Sequence, residues 1–265
     1  MFAGSALTVF AVVYAIGVAR VWRHAGIGHG ITRAQAFAFL CGWTTLAVAL
    51  IALDELSEEL FAAHMAQHEL LMLVAAPLVA LASPYVALLW MLPVRARRRV
   101  ASAVRGPRLS RVFACLSAPA VVWLIHALAL WIWHLPSLYD AALAHEPVHV
   151  LQHASFFGSA ALFWWGLAHG RYGRAGYGAA VVYVFATAVH SGVLGALLTF
   201  APHVWYPAYD TAAAARFGLT PLEDQQLAGL LMWVPAGVVF IAGALYFFAA
   251  WLKESERRAD LIAMR

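Results

Sequence analysis

Twelve histidines occur in a chain of 265 residues that is 64% hydrophobic and only 11% charged. Two pairs are spaced i, i+4: His64 with His68, and His149 with His153. On a helix that spacing puts both rings on one face, a turn apart. Two imidazoles so placed can share a metal ion. Met65 and Met72 neighbour the first pair, and Met232 lies further along. Imidazole with thioether suits copper, whereas thiolate-rich sites suit zinc or iron–sulfur clusters. The two cysteines, Cys41 and Cys115, are far apart and form no CxxC, and read as small apolar helix residues.

The elements that position these residues are read from composition. A soluble domain is nearer half apolar and a quarter charged, so the bilayer is the expected solvent. A spanning helix needs about 20 mostly apolar residues, and lipid cannot satisfy an open backbone. The expected fold is all-α: one integral membrane domain over residues 1–265, a seven-transmembrane-helix bundle. The spans fall at 2–22, 34–53, 60–81, 112–133, 148–167, 177–200 and 225–252. Pro77 and Pro235 lie inside spans three and seven, where each kinks its helix unless a neighbour satisfies the freed carbonyl. No basic n-region or small-residue cleavage site precedes the first apolar run, so the first span is expected to stay uncleaved.

Charge sets the direction. Sixteen of the seventeen Lys and Arg fall between spans one and two, three and four, five and six, or after span seven. Only Arg216 lies on the other side. The positive-inside rule makes the basic loops cytoplasmic, with the N-terminus outside and the C-terminus inside. The acids Asp54, Glu55, Glu58, Glu59, Asp140, Glu146, Asp210, Glu223 and Asp224 partition to the outer loops. Trp131, Trp133, Trp205 and Tyr206 fit an aromatic belt at the outer interface. The Arg-rich 95–111 stretch reads as a topology signal touching anionic lipid headgroups, not as a nucleic-acid patch.

On this topology nine histidines belong to the outer half: His64, His68, His126, His134, His145, His149, His153, His190 and His203. At about 1.5 Å of rise per residue, His68, His126, His153 and His190 all lie roughly 8–15 Å below the outer surface. Four helices therefore place a histidine in one layer. A single intramembrane histidine often only hydrogen-bonds a neighbouring helix. Two i, i+4 pairs with two more at matched depth favour a functional cluster. The expected metal ligands are His64, His68, His126, His149, His153 and His190, with Glu69, His134, Asp224, Met65 and Met232 as auxiliaries. Glu69 reads either as an imidazole acceptor or as a protonated packing residue. Asp224 reads either as the N-cap of span seven or as an acceptor facing the layer. His24, His29 and His169 read as solvated residues at the cytoplasmic ends.

In these residues the sequence resembles the multi-span CtaG-type cytochrome c oxidase assembly proteins, as distinct from the single-span periplasmic copper chaperone of the same name. The matching stretches are HMAQHELLMLVAAPLVAL (64–81), WLIHALALWIWHLPSLYDAAL (123–143), VHVLQHASFFGSAALFWW (148–165), HSGVLGALLTFAPHVWYPAY (190–209) and DQQLAGLLMWVPAG (224–237). The resemblance implies a seven-helix plasma-membrane protein that assists copper insertion into a heme–copper oxidase. It carries over His64, His68, His126, His134, His149, His153, His190 and Asp224.

The leading expectation is an assembly factor that takes copper from the periplasmic side and passes it to oxidase subunits, with a periplasmic copper chaperone as an expected partner. A heme-binding electron-transfer protein is the first alternative, with His68 and His153 as axial ligands. A metal or proton transporter is another. An enzyme is not expected, because no HExxH and no nucleophile motif is present.

Overall fold

The computed structural model describes residues 2–169, 176–209 and 211–263. Arg171, Arg174, Asp210 and Arg265, which entered the charge argument, lie outside them. The described residues are helical with no strand: α1 (Phe2–Ala25), α2 (Arg33–Ala47), α3 (Asp54–Glu59), α4 (Phe61–Glu69), α5 (Ala76–Ala82), α6 (Pro84–Met91), α7 (Val94–Arg105), α8 (Pro107–Leu116), α9 (Pro119–Trp133), α10 (Pro136–Ala144), α11 (Glu146–Ala168), α12 (Gly176–Thr199), α13 (Thr211–Arg216) and α14 (Pro221–Ala263). A π-helical segment, Val48–Ala52, extends α2, and a second, Leu70–Ala75, joins α4 to α5.

Among the described residues, five helical stretches are long and apolar enough to cross a membrane: 4–25, 33–52, 61–82, 176–199 and 221–261. Two expected spans differ. Residues 112–133 are not one helix, because α8 and α9 meet at a bend of 55°. Pro119 starts α9 after the break at Ser117 and Ala118, where a proline ends the preceding helix. Counted as one broken span, this pair is the sixth. The other, α11, has 23 residues, but His149, Gln152, His153, Ser155 and Ser159 lower its mean hydropathy. The residues that weaken it as a span are those that carry its chemistry.

The Arg-rich 95–111 stretch is also more ordered than a loop. It forms α7 and α8, with no buried residue on either. Arg97 stacks over Trp90 at 4.1 Å, and Arg20 donates to the Met91 carbonyl at 3.0 Å. These contacts gather one end of the bundle. At the other end Arg216 pairs with Glu59 at 2.6 Å. Lipid-facing exposure is plain on α14, where Val238 is 64% and Leu245 63% exposed.

Both π segments are braced by side chains from other helices. A π turn directs N–H groups five residues back, but Pro77 has none to give to Met72. The Trp164 indole donates to the Met72 carbonyl instead, at 2.9 Å. Gln67 donates to the Ala49 carbonyl in the first segment at 2.7 Å. Pro235 does not end α14, which continues to Ala263.

Helices α12 and α14 approach closely through glycines. A Cβ at Gly229 would lie 2.5 Å from the Thr199 nitrogen and 2.6 Å from the Gly195 oxygen. Backbone cannot yield as a side chain does, so Gly229→Val should cost about 1–3 kcal/mol through overpacking. Thermal unfolding in detergent measures this. Gly237→Ala, with nothing within 4 Å of its Cβ, serves as the control and should be neutral to stabilising.

Candidate functional site

Helices α4 and α11 each carry the pattern H-x-x-Q-H: His64 to His68 and His149 to His153. The fold sets the two patterns against each other. Ring centroids lie 4.5 Å apart for His64 and His68, 4.2 Å for His149 and His153, 5.1 Å for His64 and His149, and 5.1 Å for His68 and His153. One nitrogen from each of His64, His149 and His153 lies within 4.8 Å of the others, which is metal-holding geometry. His134, at the end of α9, joins from the far side at 6.5 Å from His68.

Nitrogens of these rings are buried and short of partners. His64 Nε2, both nitrogens of His68, His134 Nε2, His149 Nε2 and His153 Nε2 are buried with no hydrogen bond. A buried polar atom left unsatisfied costs about 1–3 kcal/mol. Six on five adjacent rings call for a ligand.

The opposite edges of two rings are fixed. His134 Nδ1 meets the Leu130 carbonyl at 2.6 Å. A carbonyl only accepts, so Nδ1 carries the proton and the Nε2 lone pair is free. Burial holds His134 down to about 4, against the opposing pull of the Leu130 carbonyl, so the ring is neutral at physiological pH. His64 Nδ1 lies 2.9 Å from the Tyr209 hydroxyl. Burial pushes that hydroxyl's pKa up, so it keeps its proton, which the Ser57 carbonyl accepts at 3.4 Å. The Tyr209 oxygen then accepts from His64 Nδ1–H, the tautomer that leaves Nε2 to a metal. Tyr139 adds a 2.9 Å bond to Tyr209. Loss of such an orienting partner typically lowers metal affinity 10–100-fold. For a metal ion held through His64, Tyr209→Phe should lower the affinity on that scale, read by competition with a chelator, while the bound stoichiometry stays unchanged.

The remaining expected residues divide. His126 bonds Ser159 through Nδ1 at 3.0 Å and packs on Phe163. His190 stands edge-on to Trp123 at 5.3 Å. Neither belongs to the three-histidine group; matched depth did not mean a matched face. Met65 and Met232 lie in the apolar core with Phe61, Phe156 and Leu198. Glu69 presents a buried oxygen with no partner, at the start of the second π segment.

Asp224 does not cap span seven. Span seven is capped by Thr220, which donates its N–H to Glu223 at 2.7 Å and accepts from the Glu223 N–H at 3.2 Å. Asp224 instead accepts from the N–H groups of Phe61 and Ala62, at 2.8 and 3.0 Å. It caps α4, the helix that carries His64 and His68. Tyr209, Tyr139, Gln67 and Gln152 were not singled out from the sequence. The doubled H-x-x-Q-H pattern was the signal for the two glutamines.

The bundle and its site therefore define a helical membrane protein with a buried histidine cluster near its acidic end. Residues 12–254 match the cytochrome c oxidase caa3 assembly factor family, Caa3_CtaG. The chain belongs to that family, and a cytochrome c oxidase is the partner its membership implies. No curated protein and no solved structure matches the chain.

Proposed function

We propose that the chain binds copper at His64, His68, His134, His149 and His153 and assists its insertion into a heme–copper cytochrome c oxidase. The observation that carries this is the set of six buried, unpartnered imidazole nitrogens on five adjacent rings. Neutral nitrogen donors without thiolate give exchangeable ligation, which suits handing copper on. The protein acts as a carrier and not as an enzyme. A periplasmic copper chaperone is a fitting donor.

The same proposal includes seven spans in a bacterial plasma membrane, N-terminus outside and C-terminus cytoplasmic. Counting α8 with α9, and adding α11, completes the seven. The basic residues then face the cytoplasm and the cluster opens to the periplasm. Asp54 and Glu58 lie close enough to act on the charge of His149, the half-buried outermost ring, so a cation meets carboxylates first. The heme alternative with His68 and His153 as axial ligands is disfavoured by their 5.1 Å spacing, which is shorter than the about 6 Å between two imidazoles on opposite sides of one ion.

The test is the copper content of purified protein, with His64, His68, His149 and His153 each replaced by alanine. Bound copper should fall in every variant. Wild-type levels in all four would remove the proposal.

A further inference from the structure

The five histidines do not form a single shell. His64, His149 and His153 close a three-nitrogen group on their own. His68 and His134 lie to one side of it, with their ring centroids 6.5 Å apart. Two imidazoles on opposite sides of one ion, with metal–nitrogen bonds of about 2 Å, have ring centres about 6 Å apart. The inner pair thus has the spacing of a two-coordinate site.

The nitrogens available agree. His134 has its proton fixed on Nδ1 by Leu130, so its Nε2 lone pair is committed to the pocket. Both nitrogens of His68 are buried and unpartnered. Whichever tautomer His68 adopts, a lone pair is available to an ion. His68 packs edge-on against Phe156 at 4.6 Å, which walls the inner pair with hydrocarbon. His149 is the half-buried ring, and His68 and His134 are buried. The two groups therefore differ in access to the surface, which only His149 provides, as well as in ligand number.

We infer that the cluster holds two copper ions: an outer one on His64, His149 and His153, and an inner one on His68 and His134. Both are cuprous, the oxidation state that accepts three or two nitrogen donors without further ligands. The inference rests on the copper reading above. The outer position receives the ion and the inner one stores it out of water, one ring contact away, since His68 also lies 4.5 Å from His64.

The experiment titrates copper(I) anaerobically into the purified full chain and counts tightly bound ions, with X-ray absorption at each equivalent. Wild-type protein should bind two. The first equivalent should show three nitrogen neighbours, and the average should fall toward two and a half after the second. His134→Gln should bind one ion that remains three-coordinate. The His149→Ala, His153→Ala double variant should retain one two-coordinate ion. The wild-type coordination series needs no variant, so a misfolded variant does not obscure the result. Binding of a single ion, lost alike from the inner and outer variants, would overturn the inference and leave the copper reading standing. A chain that binds no copper would overturn both.

Discussion

A leucine at position 68 is expected to stabilise the metal-free protein and, on the copper reading proposed above, to reduce the stabilisation that copper gives. Most large buried side chains lose stability when replaced. His68 is an exception because neither ring nitrogen has a partner, although the residue is only 1% exposed. Phe156, against which it packs, is apolar and buried. Replacing unsatisfied polar atoms by apolar ones of similar shape removes their desolvation penalty, about 1–3 kcal/mol for each atom. Repacking returns part of that, so a net gain of about 2 kcal/mol is expected. Copper reverses the ranking. A ligand at 1,000 times its dissociation constant stabilises the folded state by about 4 kcal/mol, and His68→Leu forfeits the share held through that ring. Thermal unfolding with and without copper(I) reads both signs. A metal-free His68→Leu protein less stable than wild type would mean that His68 is a packing residue with partners of its own.

The second large effect concerns Asp224. Its carboxylate satisfies two buried backbone donors at the start of α4, the N–H groups of Phe61 and Ala62. An anion there also opposes the positive end of the helix dipole. Asp224→Ala leaves both donors without a partner, at about 1–3 kcal/mol each. A loss of about 3 kcal/mol is expected, already present without metal, and copper affinity should fall with it because α4 carries His64 and His68. Asp224→Asn keeps one acceptor and should lose about half as much. The metal-free protein separates capping from ligation. If Asp224→Ala unfolds at the wild-type temperature without copper but loses copper, the carboxylate is a ligand and not a cap.

What the sequence made legible follows from which interactions are local. The helical membrane class is written in residue-by-residue hydropathy, and the family in its five motifs. The i, i+4 pairs are local too, so His64 with His68 and His149 with His153 were expected as facing pairs. The breaks were less legible. Residues 112–133 look continuous in apolarity, yet Pro119 divides them. The π segments depend on Trp164 and Gln67 reaching across from outside them, and no window of sequence shows that. Depth along a helix was readable, but rotation about its axis was not. His126 therefore turns toward Ser159 while His134, expected only as an auxiliary, faces His68. Tyr209 was invisible for the same reason, being 145 residues from the histidine it orients.

The most direct measurement is X-ray absorption at the copper edge of the purified, loaded protein. The account predicts a shell of nitrogen neighbours near 2 Å with the outer scattering of imidazole and no sulfur, since Met65 and Met232 pack in the apolar core. A dominant sulfur shell, or copper without imidazole scattering, would contradict it.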